Sequence, residues 1–229
     1  MSLKEDFFTI ISSLALYTLG AFIVGISLIP SYFIVRYALS LNFILIKLFL
    51  IGFSYFVFGM FLMIVVVIFI RILNLRVGEG EYPIGSFQTV KWLLYAGLLQ
   101  MVDFFFLTFA RGGLNNLFYK ALGAKIGENT IIIAKDVNDL HLIEIGDNVL
   151  IGDMASIIGH VAEKGKLILK RVKIGNNVTI GQYTTIFPGT IIEDDVIVGA
   201  NSLVPKSSVL ERGWIYGGVP VRKIKRWKE

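Results

Sequence analysis

The chain is 229 residues long, 55% hydrophobic and only 17% charged, and it contains no cysteine. That is too apolar for an ordinary soluble domain, and the missing thiols exclude disulfides, thiolate catalysis and cysteine-based zinc sites. The net charge of +5 is modest and spread over both halves, which speaks against a nucleic-acid partner.

The charges are unevenly placed. Residues 1–117 hold seven Lys or Arg and five Asp or Glu, whereas the last 112 hold fifteen and twelve. The pattern predicts a membrane region over residues 1–111 followed by a water-exposed domain over residues 112–229.

From Phe7 to Ile29 the chain runs without a charge and meets Pro30, long enough to cross about 30 Å of hydrocarbon as a helix. A second run, Leu48 to Ile70, is bracketed by Lys47 and Arg71, whose long side chains can snorkel to the two interfaces. The intervening Ser31 to Ile46 reads as a helical connection near the headgroups. A third segment, Val90 to Ala110, is interrupted by Lys91, Gln100 and Asp103; it spans or lies in the interface. Asp103, an acidic group inside such a segment, is either a functional candidate or a carboxylate that is interfacial or paired with Arg111. Basic residues flank this segment on both sides, so the positive-inside rule leaves its path and the orientation open.

Gly113 to Leu122 is predicted to form an amphipathic linking helix with Leu114, Leu117, Phe118 and Leu122 on one face. Leu117, Phe118 and Tyr119 are placed to rest on a bilayer surface.

Beyond it an aliphatic residue returns every six positions: Ile174, Ile180, Ile186, Ile192, Val198 and Val204. An earlier register contains Ile145, Ile151 and Ile157, and Ile126 with Ile132 begins the set. This period marks a β-helix, in which each unit supplies one short strand and one turn and its inward side chain stacks on the units above and below. Gly after the aliphatic residue, as in Ile174-Gly175 and Ile180-Gly181, suits a tight corner. The phase breaks between Ile157 and Ile168, so Ile158 to Leu167, polar and carrying two glycines, reads as a protruding loop.

Leu122-Gly123-Ala124-Lys125-Ile126-Gly127, Ile145-Gly146-Asp147-Asn148-Val149-Leu150-Ile151, the Gly159-His160 loop and the ending Gly218-Val219-Pro220-Val221-Arg222-Lys223-Ile224 together resemble the hexapeptide-repeat acyltransferases. Asp139-Leu140 ahead of the coil and the membrane attachment also resemble the tail domains of nonribosomal-peptide-synthetase-like poly-lysine synthetases. The resemblance implies a left-handed parallel β-helix, a homotrimer, and an active site between neighbouring subunits.

It also implies roles for particular residues. His160 matches the loop histidine that acts as general base, a task suited to a neutral imidazole. Asp139 is expected to place the acceptor, and His141 either joins it or is a solvent-facing strand residue. Gly199 and Ala200 match the small residues along which the donor's pantetheine arm lies, and Arg222, Lys223 and Lys225 match the basic ending that meets CoA phosphates. The basic end equally suits anionic lipid headgroups.

The expected donor is acetyl-CoA or another acyl-CoA, which puts the β-helix on the cytoplasmic side of the plasma membrane, and the expected acceptor is a membrane-linked hydroxyl or amine. A tail-like enzyme using a phosphopantetheine-linked aminoacyl thioester from a partner's carrier domain is the alternative. A non-catalytic trimeric scaffold is the third reading. Two histidines without cysteine speak against a metal centre.

Overall fold

The computed structural model describes residues 3–107, 113–134 and 136–227. They fall into two compact units, one made of Met1–Arg76 with Val90–Phe109 and the other of Val77–Thr89 with Ala110–Glu229. The boundary expected at residue 111, the end of the third segment at Ala110 and the Arg111 partner expected for Asp103 lie outside the described residues.

In the first unit, α1 (Leu3–Ser40) and α2 (Ile44–Ile72) pack as a hairpin. The expected break at Pro30 does not occur, because α1 continues through it to Ser40. Proline removes one backbone donor, a loss that α1 absorbs without breaking while packed along α2. Around this point Ser27 Oγ donates to the Ile23 carbonyl at 2.7 Å and Ser31 Oγ donates across to the Ser54 carbonyl at 2.7 Å. The headgroup connection foreseen over Ser31 to Ile46 is therefore mostly helix, and only residues 41–43 separate α1 from α2. Ser13–Ser40 and Ile44–Ile72 are each long and apolar enough to cross a membrane.

The second unit contributes β1 (Gly80–Pro83) first. The chain then forms α3 (Phe87–Val102), which passes into a π-helical turn at Asp103–Leu107, and α4 (Gly113–Ala121) follows. The face of α4 differs from expectation. Asn115, Phe118, Tyr119 and Leu122 are buried while Leu114 and Leu117 are exposed, since the buried set is the one spaced i, i+3, i+4, i+7. Phe118 and Tyr119 therefore belong to the core and are not available to a bilayer.

Five coils follow. They are β2 (Lys125–Ile126), β3 (Ile131–Ile132) and β4 (Asp136–Val137); β5 (Ile143–Ile145), β6 (Leu150–Ile151) and β7 (Ser156–Ile157); then, after an excursion, β10 (Val172–Ile174), β11 (Thr179–Ile180) and β12 (Thr185–Ile186); β13 (Ile191–Ile192), β14 (Ile197–Val198) and β15 (Leu203–Val204); and lastly β16 (Val209–Leu210) with β17 (Trp214–Gly217). Strands of successive coils pair in parallel into three faces: β2-β5-β10-β13-β16, β3-β6-β11-β14-β17, and β4-β7-β12-β15. A final strand, β18 (Arg222–Arg226), adds antiparallel to β17. This is the arrangement typical of a left-handed β-helix. The period-six residues form its core, with Ile151, Ile157, Ile186, Val198 and Val204 fully buried.

The corners explain the repeat's second signature. At Ile145-Gly146-Asp147-Asn148 the glycine does not have a positive φ; the asparagine two positions later does, at 56°. Gly146 is required by stacking, since a Cβ there would lie 2.5 Å from Asn176 Oδ1 of the next coil. That amide oxygen accepts from the Asp147 backbone N–H at 2.8 Å, and Asp194 Oδ1 does the same for Asn176 at 2.7 Å. Beside it runs a ladder of amides, Asn129 donating to Asn148 and Asn148 to Asn177, which donates in turn to the Asp195 carboxylate. Left-handed corners favour Asn and Asp for this reason.

The tightest such contact with backbone is at Gly181, where a Cβ would sit 2.4 Å from the Ala200 backbone nitrogen. Backbone cannot swing aside as a side chain can. Gly181→Ala is expected to cost about 3 kcal/mol of stability, read as a lowered denaturation midpoint in guanidinium chloride.

Candidate active site

The protruding loop expected from Ile158 to Leu167 is a β-hairpin, inserted between the second and third coils. Strands β8 (His160–Glu163) and β9 (Lys166–Leu169) pair antiparallel, joined by Lys164 and Gly165, both at positive φ. Two such residues make the turn that matches hairpin twist. Strand β1 pairs antiparallel with β9 on its other edge. Residues 80–83 thus complete a three-stranded sheet.

Ion pairs fasten β1. Glu79 accepts from the backbone N–H of Arg171 at 3.1 Å and from its Nε at 3.0 Å, and Arg171 Nη1 also donates to Glu144 at 2.6 Å. Lys166 Nζ reaches Glu81 at 2.9 Å. The Arg171 backbone N–H holds the Glu79 carboxyl below the usual glutamate range, and Lys125, with Arg171, does so for Glu144. Beside this network lies a groove of about 600 Å³ lined by Glu79, Lys170, Arg171, Lys173, Gly189 and Ser207 among others. Sequence reasoning gave no hint of it, because its wall is built from strands far apart in the chain.

His160 opens β8 at the corner where the third face gives way to the first. Asp139 occupies the same corner one coil below, between β4 and β5, with a left-handed backbone at φ 55°. The His160 Nδ1–H donates to Asp139 Oδ2 at 2.7 Å. The carboxylate side chain is 2% exposed and the imidazole 26%, so a buried acid holds a ring that solvent or substrate can reach. Gly159 makes this approach possible: a Cβ at that position would stand 2.8 Å from Asp139 Cβ.

The other residues singled out in the sequence lie elsewhere. His141 is half-buried in the 3-10 turn Leu140–Leu142, and its Nε2–H donates to the Val77 carbonyl at 2.7 Å. Gly199 and Ala200 form the corner after β14, between the second and third faces; the Gly199 N–H donates to the Tyr216 carbonyl at 2.8 Å, and its own carbonyl accepts from Thr184 Oγ1 at 3.0 Å. Arg222, Lys223 and Lys225 are exposed on β18. Lys223 pairs with Glu211 at 2.7 Å and stacks over the Trp214 ring at 4.7 Å. The structure thus joins Asp139 to His160, sets the small corner across the third face from them, and puts the basic strand at the end of the second face.

A buried carboxylate and the imidazole it orients form a pair able to move a proton. Comparison with known proteins bears on the repeat itself. Residues 167–206 match the family model for the bacterial transferase hexapeptide (six repeats). Delta-poly-L-ornithine synthetase of Acinetobacter baumannii (strain AB307-0294) is 29% identical over 154 residues, covering 67% of this chain and 11% of that protein. YvoF of Bacillus subtilis (strain 168) is 34% identical over 116 residues, covering 49% and 66%. Galactoside O-acetyltransferase of Escherichia coli (strain K12) is 36% identical over 94 residues, covering 38% and 45%. The chain therefore spans only part of each relative's length, from 11% to 66%. With its coils and stacked corners, the C-terminal part of this chain is a parallel β-helix that matches the bacterial transferase hexapeptide repeat over residues 167–206.

Proposed function

We propose that the protein is a membrane-anchored acyltransferase that moves a short acyl group from a CoA thioester to a hydroxyl or amine of a membrane-linked acceptor. The observation that carries this reading is the Asp139–His160 pair at 2.7 Å on a β-helix of this family. Asp139 fixes the ring with its proton on Nδ1, which leaves the Nε2 lone pair to act as base. Nε2 takes the acceptor proton as the acceptor oxygen or nitrogen bonds to the acyl carbon. The carbon–sulfur bond then breaks, and the departing CoA sulfur takes the proton from Nε2. Asp139 orients the base in this scheme, which replaces the acceptor-placing role inferred from sequence.

Gly199 and Ala200 serve as the donor groove, and Arg222 and Lys225 meet the CoA phosphates with Lys223 beside them. This groove and the dyad occupy different corners of one prism. A homotrimer, in which one protomer's corner faces its neighbour's, unites them and is the assembly we assign. The galactoside enzyme, named as an acetyltransferase, supports the choice of an acetyl donor.

Membrane anchoring rests on α1 and α2. Their outward faces carry Tyr17, Tyr37, Leu48, Phe49, Phe56, Met60 and Ile64, all exposed, and lipid is the solvent that suits such surfaces. Because Val77–Thr89 and Ala110–Glu229 form one unit, they share one side of the membrane, the cytoplasmic side where CoA is found. The segment between them, α3 and its π turn, then enters and leaves on that side without crossing. Since the chain has no cysteine, single thiols test this directly. Ile84→Cys and Leu114→Cys are expected to react with an impermeant maleimide from the same side, and Phe43→Cys from the other. Opposite labelling of positions 84 and 114 would contradict the re-entrant path.

The donor is tested by calorimetry of CoA and acetyl-CoA on the detergent-purified protein. Saturable binding, weakened in an Arg222→Ala, Lys223→Ala, Lys225→Ala triple variant, is expected. Absence of binding to the folded protein would overturn the CoA reading. One observation favours the amide-forming alternative with a carrier-linked thioester: the match to the poly-ornithine synthetase covers 67% of the chain, more than the whole stretch from Lys125 to the end. A phosphopantetheinyl carrier that binds where CoA does not would select it.

A further inference from the structure

We propose that His141 is a positioning residue, clasping the Val77 carbonyl and thereby holding Asp139 in line with His160; this rests on the reading of His160 as the base. Asp139 and His141 share one tight turn. The Leu142 N–H donates to the Asp139 carbonyl at 2.7 Å, and the flanking Leu140 and Leu142 are buried. From the middle of this turn His141 reaches out to Val77, itself 5% exposed. A carbonyl only accepts, so His141 carries its proton on Nε2.

The same stretch of backbone leads to the other member of the pair. Three residues after Val77, Gly80 stands opposite Leu169 in the β1–β9 register, and Leu169 stands opposite His160 in the β9–β8 register. The contacts therefore close a ring: Val77, β1, β9, β8, His160, Asp139, His141 and back to Val77. Acid and base hang from one strap, and neither shifts relative to the other while the ring is closed. Opening it at His141 removes one tether of the Asp139 turn and lets the carboxylate shift relative to the ring. Misalignments of this size lower the rate of the chemical step more than they weaken substrate binding.

Asparagine and glutamine separate the clasp from mere packing. The glutamine amide nitrogen falls where Nε2 of histidine lies and can still donate to Val77, whereas the asparagine nitrogen falls where Nδ1 lies and cannot reach it. The chain has two histidines, so with 15N-labelled histidine each variant of the full-length protein in detergent shows His160 alone. The clasp predicts a single Nδ1-protonated tautomer of His160 in the wild type and in His141→Gln. His141→Asn is expected to give mixed tautomers and a kcat about tenfold lower with KM little changed. Identical His160 spectra in the two variants would overturn the proposal. The wild type supplies a check that needs no variant, because a His141 protonated at Nδ1 instead of Nε2 would also overturn it. If the tautomers respond as stated but transfer is indifferent to His160→Ala, the clasp stands and the assignment of the base fails.

Discussion

Replacing His160 by alanine is expected to lower kcat about a thousandfold while leaving the coil folded. The loss follows from the proton inventory at the site, because an uncharged hydroxyl or amine attacks a thioester slowly unless its proton is taken as the bond forms. His160 is the imidazole that Asp139 orients. Stability is expected to change little, since β8 is held by backbone pairing with β9, which alanine preserves, and the ring is already part-exposed. Thiol release from acetyl-CoA followed beside thermal unfolding separates the two effects. A variant with near-normal turnover would remove His160 from the chemistry and leave the base to another group.

Asp139→Asn is expected to cost about a hundredfold in kcat with only a small change in KM. The two side chains have the same shape, so the buried corner keeps its packing. The hydrogen-bond pattern is what changes. A carboxylate can only accept, which fixes the proton on Nδ1 and leaves Nε2 bare; an amide turned to present its NH₂ reverses that assignment and puts the proton on Nε2. A ring protonated there cannot act as base. Thermal unfolding near that of the wild type, together with the slow rate, is the expected pair of results. An unchanged rate would mean that the acid does no more than pack the corner.

Most of the β-helix was legible in the sequence because its physics repeats. Each inward Ile or Val stacks on its counterpart one coil away, so a single constraint is written many times at period six. The reason for the glycines was not legible. They stand after the aliphatic residue because the neighbouring coil's amide or backbone occupies the place of a Cβ, as at Gly146 and Gly181, and that requirement appears only when coils are stacked. Strand β1 was hidden for a related reason. It pairs once, antiparallel, with a partner some 85 residues later, and Glu81 to Lys166 is its charge signature. An acid–base pair at such separation does not stand out from other charges in a chain. The turn Lys164-Gly165 was the available local signal for the hairpin, since a glycine in a short polar gap between two apolar runs suits a two-residue turn.

The site divides along the same line. His160 and Asp139 were each identifiable from the motifs around them, but their partnership was not, because the residues are one coil apart and meet only where Gly159 leaves room. His141 was the harder case. Its nearness to Asp139 in sequence suggested a shared task at the substrate, whereas the structure turns its Nε2 toward Val77. The helical region shows how context overrides a local rule, with α1 passing through Pro30 where the sequence suggested an end.

The most direct test of the account is transfer of radiolabelled acetyl groups from acetyl-CoA into the membrane fraction, catalysed by the purified full-length protein and by its His160→Ala variant. The account predicts a labelled membrane-extractable product with the wild type and its near-complete loss with the variant. Equal labelling by both proteins, or no labelling by a wild-type protein that binds acetyl-CoA, would contradict it.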